Sequence, residues 1–268
     1  MEKGDCVRES LAFAAACLLA FASVLAGQTR HVKDKDLDAY LTGVTERGRE
    51  IYAYDQCAWH GTDAFFALHP DTNGLTHYIC MKTPAGWEVV FPKWNATHDR
   101  LLVAYEAKEA GGPEVYTATK HDPPCEGPDA LVAKERALEL AIGDFGAVNR
   151  PYNTAILPAG DGNLYVYLYP AQTKNNVWPL GGDVRYTISA DGKQIIEKRQ
   201  LHKTILDMEF DPEKHPEAGV HSHILSNVPE DTDVFYVLNR RPLIPEYIGT
   251  EKHIFIVNTE GSIQIQKK

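Results

Sequence analysis

Two histidines near the end of the sequence have the type and the spacing of metal ligands. His221 and His223 lie in the segment 216–239, PEAGVHSHILSNVPEDTDVFYVLN. Because side-chain direction repeats every two residues in a strand, both imidazoles are expected on one face of a strand over 219–225. Two imidazoles on one face can bind one metal ion at about 2.0–2.1 Å each. The pair therefore predicts a metal site.

Two aspartates follow the histidines after a short loop. Asp231 and Asp233 stand at the start of a helix predicted over 232–239, where a carboxylate can turn back toward the end of the strand. Two histidines and Asp233 leave one position open, as in catalytic zinc sites, where the metal lowers the pKa of bound water to about 7. The alternative is that both aspartates only cap the helix and complement its dipole, with the histidines on a solvent-facing strand.

At these residues the sequence resembles the JAMM metalloprotease family, the zinc isopeptidases also called MPN domains. The family signature is His-x-His, a loop of about seven residues, and then Ser-x-x-Asp opening a helix. The resemblance implies that His221, His223 and Asp233 bind zinc, and that the substrate is an amide or isopeptide bond of a peptide or protein. It extends from about residue 219 to residue 266, where the predicted order of helix, strand and closing hairpin is also similar.

The sequence departs from the family pattern at several positions. Ile224 stands where a proline commonly follows the histidines, and Glu230 replaces the serine. The loop is one residue short, and 151–157 offers no carboxylate in place of the family's general base. Glu197, Glu209 and Glu230 remain as candidates for that base. Hydrolysis needs a group that takes the proton from metal-bound water, so a metal-binding relative without activity stays open beside an active hydrolase.

The first part of the sequence predicts export. Residues 11–26, LAFAAACLLAFASVLA, form an apolar run that is shorter than the 20 or so residues of a membrane span. The run ends in small residues, with Val24 and Ala26 where a signal peptidase reads. Residues 1–26 are therefore predicted to be a signal peptide, and the protein to be periplasmic or secreted. A retained N-terminal anchor is the alternative, because the residues before the run lack a clear positive charge.

The charge of the chain disfavours two classes of partner. The formal net charge is −10, and the chain stays acidic once residues 1–26 are removed. No cluster of lysine and arginine is present to neutralise phosphates, which argues against nucleic-acid binding. An anionic membrane surface is disfavoured for the same reason after signal cleavage. A non-enzymatic periplasmic or secreted module with a binding or inhibitory role is the alternative to a hydrolase.

The order of predicted elements indicates an α+β fold. Helices over 35–51 and 54–68 precede strands at 77–83, 87–92, 100–107 and 114–119. The segment 121–129, HDPPCEGPD, is predicted to be a linker because of its prolines and glycine. It would separate an N-terminal α+β domain, 27–120, from a C-terminal one, 130–268. Each domain is expected to be a helix with an antiparallel sheet, and the resemblance implies a JAMM-like mixed sheet in the second.

The second half is predicted to begin with a helix over 129–144. Its strands are expected at 154–157, 164–169, 183–189, 194–206, 246–248, 253–258 and 262–266, with a hairpin joining 183–206.

Three cysteines remain after residue 26. Cys57, Cys80 and Cys125 allow one disulfide with one thiol left over, as expected in an oxidising compartment. Buried free thiols are the alternative. Their spacing does not predict a zinc site.

Tyrosines alternate along one predicted strand. Tyr165, Tyr167 and Tyr169 share a face, and Trp178 follows nearby. Such tyrosines are most often packed against the next layer of the fold. Binding of a sugar or a peptide on their rings is the alternative.

Overall fold

The computed structural model describes residues 29–211 and 213–266, so the predicted signal peptide lies outside the described residues. Within them the chain forms three α-helices and fourteen strands in four sheets. Among the ladders of these residues only one pair of strands, Gly219–Ser222 and Glu246–Gly249, is parallel. The predicted α+β class is confirmed. None of the described helices is both long and apolar enough to cross a membrane.

The first helix, α1 (Leu37–Phe66), is continuous where the sequence predicted two helices. The residues between the two predicted helices include no proline or glycine, and Ile51 and Tyr54 are both fully buried on the same stripe. Nothing in the backbone therefore ends the helix there, and its apolar face continues along the whole length. This helix packs on the first sheet and on the helix that carries Asp233.

The first sheet is an antiparallel meander in the order β1-β2-β3-β4. Its strands are β1 (Ile79–Thr83), β2 (Gly86–Trp94), β3 (Leu101–Glu109) and β4 (Tyr116–Glu126). The four predicted strands are present, and β4 continues well beyond the predicted end.

The segment 121–129, which was predicted to be a linker, is regular secondary structure over most of its length. Its first six residues are the end of β4, and its last residue, Asp129, begins the next helix. The ladder resumes at Cys125, opposite Val103, after a bulge that takes in both prolines. Proline is tolerated there because β4 is an edge strand, whose outer N–H groups have no partner to lose.

The second half contains the other elements. These are α2 (Asp129–Phe145), β5 (Tyr152–Pro158), β6 (Leu164–Pro170), β7 (Val177–Gly181), β8 (Val184–Ile188), β9 (Ile195–Gln200), β10 (Ile205–Glu209), β11 (Gly219–Ser222), α3 (Asp231–Asn239), β12 (Glu246–Gly249), β13 (Ile254–Val257) and β14 (Ile263–Gln266). The sheets have the orders β5-β6-β8-β9, β7-β10 and β11-β12-β13-β14. The last is a mixed sheet, because β11 runs parallel to β12.

The predicted strand 194–206 is interrupted. It divides into β9 and β10, which belong to different sheets, and residues 201–204 form a turn between them. The backbone N–H of Leu201 donates to the carbonyl of Asp183 at 3.0 Å, one residue past the β8–β9 ladder, and the chain leaves the sheet after it. The predicted hairpin is present as β8 and β9.

Buried apolar side chains form two clusters. The larger one contains residues from both sides of segment 121–129, among them Ile51, Leu101, Leu138 and Tyr186. The smaller one lies between the start of α1, α3 and the mixed sheet. The boundary between 27–120 and 130–268 stays a prediction, which limited proteolysis across 121–129 tests.

The cysteines are free thiols. Cys57 and Cys80 are buried, whereas Cys125 is exposed on the edge strand. These three cysteines therefore form no disulfide in the structure, in agreement with the free-thiol alternative. Burial raises the pKa of the Cys80 thiol.

Candidate metal centre

The mixed sheet positions the two predicted histidines. His221 lies in β11 opposite Ile248 of β12. The backbone N–H of His223 donates to the carbonyl of Gly249 at 2.9 Å, so the extended backbone continues one residue past β11. Both imidazoles therefore leave the same face of the strand, and their Nε2 atoms are 3.1 Å apart. The sequence predicted this arrangement.

The start of α3 positions Asp233. Glu230 is the N-cap, and it forms a capping box with Asp233. In this box the backbone N–H of Glu230 donates to Asp233 Oδ2 at 2.7 Å. The other oxygen, Oδ1, lies 3.2 Å from His221 Nε2. Asp233 therefore caps the helix through Oδ2, which also lies 3.2 Å from His223 Nε2, and presents Oδ1 to His202 and His221.

A third histidine, which the sequence analysis missed, completes the group. His202 lies in the turn between β9 and β10, and its Nε2 atom is 3.0 Å from His223 Nε2. Gly181 allows the β7–β8 turn to lie close to the turn that carries His202, because a Cβ on Gly181 would lie 2.4 Å from the carbonyl oxygen of Thr204. His202 was missed for two reasons. The sequence predicted an uninterrupted strand over 194–206, and the spacing of residues does not connect His202 with a motif that begins at His221.

The four donors lie close enough together to share one metal ion, with their ligand atoms all within 4.8 Å of one another. The distance from His202 Nε2 to Asp233 Oδ1 is 3.2 Å, as is the distance from His223 Nε2 to Asp233 Oδ2. Donors bonded at 2.0–2.1 Å to a tetrahedral ion are about 3.3 Å apart. The group could hold a metal ion. It is shielded from solvent, since the His202 side chain is the most exposed of the four at 11%.

Each imidazole is oriented by a second hydrogen bond at its Nδ1 atom. The acceptors are Asp183 Oδ1 for His202, Glu246 Oε1 for His221 and the Val228 carbonyl for His223, each at 2.8 Å. A carboxylate or a carbonyl can only accept, so each Nδ1 atom donates a proton. The Nε2 lone pairs then face the centre of the group, as in protein metal sites whose histidines are held by carboxylates or carbonyls.

Without a cation this arrangement is unfavourable. Asp233 Oδ1 is buried beside the Nε2 atoms of His202 and His221, which have no proton to donate to it while these imidazoles are neutral. Asp183, Asp233 and Glu246 contribute three negative charges and the buried Arg240 one positive charge. The centre thus carries two uncompensated negative charges while its imidazoles are neutral. Uncompensated buried charge is costly, and one divalent cation would balance it.

The pKa values of the donors also show that the centre favours positive charge. Burial lowers the pKa of His221, but Asp233 and Glu246 outweigh burial and raise it to about 9. Asp183 and Asp233 raise the pKa of His202 in the same way. Burial raises the pKa of Asp233, yet His223 and His202 hold it well below its usual range. Protons therefore take the place of a cation in the metal-free chain.

Arg240 fixes the carboxylate behind His221. Its guanidinium is fully buried and pairs with Glu246, and it also donates to the carbonyl of Ile244 at 2.7 Å. Gly219 leaves room for this carboxylate, because a Cβ on it would lie 1.9 Å from Glu246 Oε2. The orientation of His221 thus depends on a packed ion pair.

A segment near the start of the described chain closes over the loop that holds His223. Arg30 N–H donates to the carbonyl of Leu225 at 2.8 Å, and Asn227 N–H donates to the carbonyl of Arg30 at 3.1 Å. Val32 N–H donates to Asn227 Oδ1 at 2.8 Å. This loop also carries Val228, the acceptor for His223. Residues 30–32 therefore stabilise one ligand of the metal centre from outside.

The three candidates for a general base lie outside the metal-binding group. Glu230 is fully buried and pairs with Arg199. Glu197, in β9, lines a cavity of about 710 Å³ together with residues of the first turns of α1. Glu209, in β10, is exposed. Glu230 alone of the three is shown beside a metal donor, through its capping box with Asp233, and its carboxylate is engaged by Arg199.

Asp231 does not cap the helix, which corrects one expectation from the sequence. It is 1% exposed and lies between two arginines. Arg47 Nη2 and Arg185 Nη1 are each 2.8 Å from its carboxylate, and Tyr167 Oη donates to it at 2.7 Å. These partners lower the pKa of Asp231 although burial raises it. Asp231 is therefore the shared counter-ion of α1 and β8.

Three imidazoles and a carboxylate fill all the positions of a tetrahedral ion. Structural zinc sites are closed in this way, whereas catalytic ones keep one position for water or substrate. The predicted site, with two histidines and Asp233, had such an open position, whereas the structure adds His202 as a fourth donor. No protein-family model, no curated protein and no solved structure matches this chain.

Proposed function

We propose that this chain is an exported zinc protein in which His202, His221, His223 and Asp233 bind one ion that stabilises the fold. The observation that carries the proposal is the position of His202, whose Nε2 atom lies 3.2 Å from Asp233 Oδ1. A site with four protein ligands has no free position for a hydrolytic water. Export is proposed from the apolar run 11–26, and N-terminal sequencing that finds Met1 on the natively produced protein would contradict it.

Zinc fits the donor set best. Imidazole nitrogen is a good ligand for zinc, copper, iron and nickel, whereas calcium and magnesium prefer oxygen. Zinc has no geometric preference of its own and is usually tetrahedral in closed sites. Three imidazoles and one carboxylate within 4.8 Å of one another suit a closed zinc site of this kind.

The resemblance to the JAMM family then points to a relative that has kept a metal and lost hydrolysis. A hydrolase needs a metal-bound water and a base that accepts its proton. His202 would compete with the water, and Glu230 is engaged by Arg199. When bound, zinc would instead link the β9–β10 turn to β11 and α3. An ion that binds only the folded chain stabilises it by mass action.

Metal analysis of the untagged protein, purified without chelators, tests this function. We expect about one zinc ion per chain and a melting temperature that falls when a strong chelator is added. Peptide and isopeptide substrates should be hydrolysed no faster by the wild type than by His221→Ala. A wild type that carries no metal, and whose melting temperature no divalent ion raises, would show that the site does not exist. Hydrolysis that disappears in His221→Ala would instead establish an active metalloprotease.

The stabilisation by zinc should grow as the pH rises. In the metal-free chain the pKa of His221 is about 9, against about 6.5 in an unfolded chain. Its protonation therefore stabilises the metal-free fold fully below pH 6.5 or so, and this contribution is lost as the pH rises through 9. Zinc needs the neutral imidazole, so it is displaced at low pH. Both effects increase the difference in stability between the zinc-loaded and the metal-free protein as the pH rises.

Thermal unfolding of zinc-loaded and metal-free protein across this pH range measures the difference directly. We expect the two melting temperatures to be close near pH 6 and to separate progressively toward pH 9. His221→Ala, which lacks the titrating ligand, should show no such separation. A difference that is constant or that shrinks with pH would contradict the assignment of His221 as a ligand.

A further inference from the structure

An aromatic cavity lies apart from the metal donors. It has a volume of about 350 Å³ and is bounded by α1, the end of β6, β7 and α3. Six aromatic side chains contribute to its wall: Trp59, Tyr78, Tyr169, Trp178, Phe235 and Tyr236. Cavities of about 300–1,000 Å³ with apolar walls and a few polar groups are typical of small-molecule sites.

The tyrosine face predicted from the sequence has two roles here. Tyr167 is fully buried and donates its hydroxyl to Asp231, so it is part of the packing, as predicted. Tyr169 is also packed, with its ring centroid 4.8 Å from that of Phe235. Tyr169 and Trp178 nevertheless both line the cavity. The same strand face thus supports the core at one end and a binding cavity at the other.

A carboxylate without a cationic partner lies among these rings. Asp55 Oδ1 accepts hydrogen bonds from Tyr169 Oη at 2.9 Å and from Asn153 Nδ2 at 3.3 Å. No lysine, arginine or histidine is among the described residues that line the cavity. Burial raises the pKa of the Asp55 carboxyl despite these hydrogen bonds. The two bonds hold the carboxylate in place but do not neutralise its charge.

The surroundings favour a positively charged ligand. The faces of aromatic rings attract cations, most strongly where water is excluded. Asp63 at the exposed rim adds a second negative charge. The acidic chain as a whole, with a net charge of −10, also attracts cations and repels anions. A neutral sugar would use the rings but would leave the charge of Asp55 uncompensated.

We propose that this cavity binds a small organic cation, an ammonium or alkylammonium group on a compact apolar body. Asp55 forms the ion pair with the ammonium group, and Tyr169, Trp178 and Phe235 provide the surrounding ring surfaces. Trp59, which is 57% exposed, lies at the mouth of the cavity and covers the ligand. None of these residues is a metal donor, so binding does not depend on the proposed zinc role.

Titration of the zinc-loaded protein with tetramethylammonium tests the proposal. Trp59 and Trp178 line the cavity, so tryptophan fluorescence reports occupancy, and calorimetry confirms the stoichiometry. Ionic strength is held constant with sodium chloride. We expect a saturable change with tetramethylammonium and none with tert-butanol, its neutral counterpart in size.

Two variants and one control assign the response to the cavity. Asp55→Asn keeps the shape and the hydrogen bond to Tyr169 but removes the charge, and should weaken binding about tenfold. Trp59→Leu changes an exposed residue, so it leaves the fold intact and should also weaken binding. Asp38→Asn removes the same charge from an exposed position of α1 outside the cavity, and should bind as the wild type does.

Three results would overturn the proposal. The first is that tert-butanol binds as tightly as tetramethylammonium. The second is that both Asp55→Asn and Trp59→Leu bind tetramethylammonium as the wild type does. The third is that methyl glucoside gives a saturable response and tetramethylammonium gives none. Thermal unfolding of each variant shows whether Asp55→Asn is folded. If it is not, the comparison of Trp59→Leu with the wild type decides the matter.

Discussion

Alanine at position 202 is expected to abolish zinc binding and to lower stability by several kcal/mol. His202→Ala removes one of four donors and leaves Asp183 without its hydrogen-bond partner. An ion present at a thousand times its dissociation constant stabilises a fold by about 4 kcal/mol, and the variant should lose that contribution. Metal content after dialysis and urea unfolding with and without a chelator measure the two effects.

The chelator separates the loss of metal from the loss of packing. In chelator the wild type and His202→Ala should differ only by the packing and hydrogen bonds of the side chain, whereas with zinc the difference should be larger. His215→Ala changes an exposed histidine and should behave as the wild type in both conditions. If His202→Ala kept its zinc and the full response to chelator, the ion would have three protein ligands and an open position. The hydrolase interpretation would then regain support.

Asp231→Ala is expected to destabilise the protein by about 3–5 kcal/mol, the cost of removing one partner from a buried ion pair. The carboxylate is the counter-ion of Arg47 and Arg185, and its loss leaves the nearly buried Arg185 without a charge partner. As a helix cap alone it would be worth about 0.5–2 kcal/mol. Urea denaturation at neutral pH distinguishes the two values.

An exposed ion pair provides the control for this measurement. Asp207 pairs with Arg150 at 3.1 Å, and its side chain is 55% exposed. Asp207→Ala should cost at most about 1 kcal/mol, because solvent screens such pairs. A loss below 2 kcal/mol for Asp231→Ala would show that the ion network contributes no more than a cap would.

Sequence patterns predicted the local part of the metal centre. His221 and His223 lie on one extended segment, and Asp233 follows at the start of the next helix. Strand periodicity and helix capping operate over a few residues, so they are sufficient to bring these three together. The closing strands β12 to β14 were predicted for the same reason, from short apolar runs and turn residues.

The remaining parts depend on contacts between distant segments. His202 enters the centre only because the chain turns after Leu201, whose backbone N–H donates to the carbonyl of Asp183. The position of Asp231 at a helix start indicated a capping role. Its actual partners, Arg47 of α1 and Arg185 of β8, are distant in the sequence, so the sequence did not reveal the ion pairs. The prolines of 121–129 indicated a linker, since the sequence does not show that β4 is an edge strand.

The contact of residues 30–32 with the loop around Asn227 also bears on how the proposed metal centre would form. The two partners are 195 positions apart, so the hydrogen bonds between them cannot form until the chain has been synthesised beyond Asn227. Folding rates fall as contacting residues become more distant in sequence, although the entropy of closing a long loop rises only slowly. The metal centre is therefore expected to mature late. A chain trimmed beyond Val32 would keep every metal ligand and still lose the support of His223.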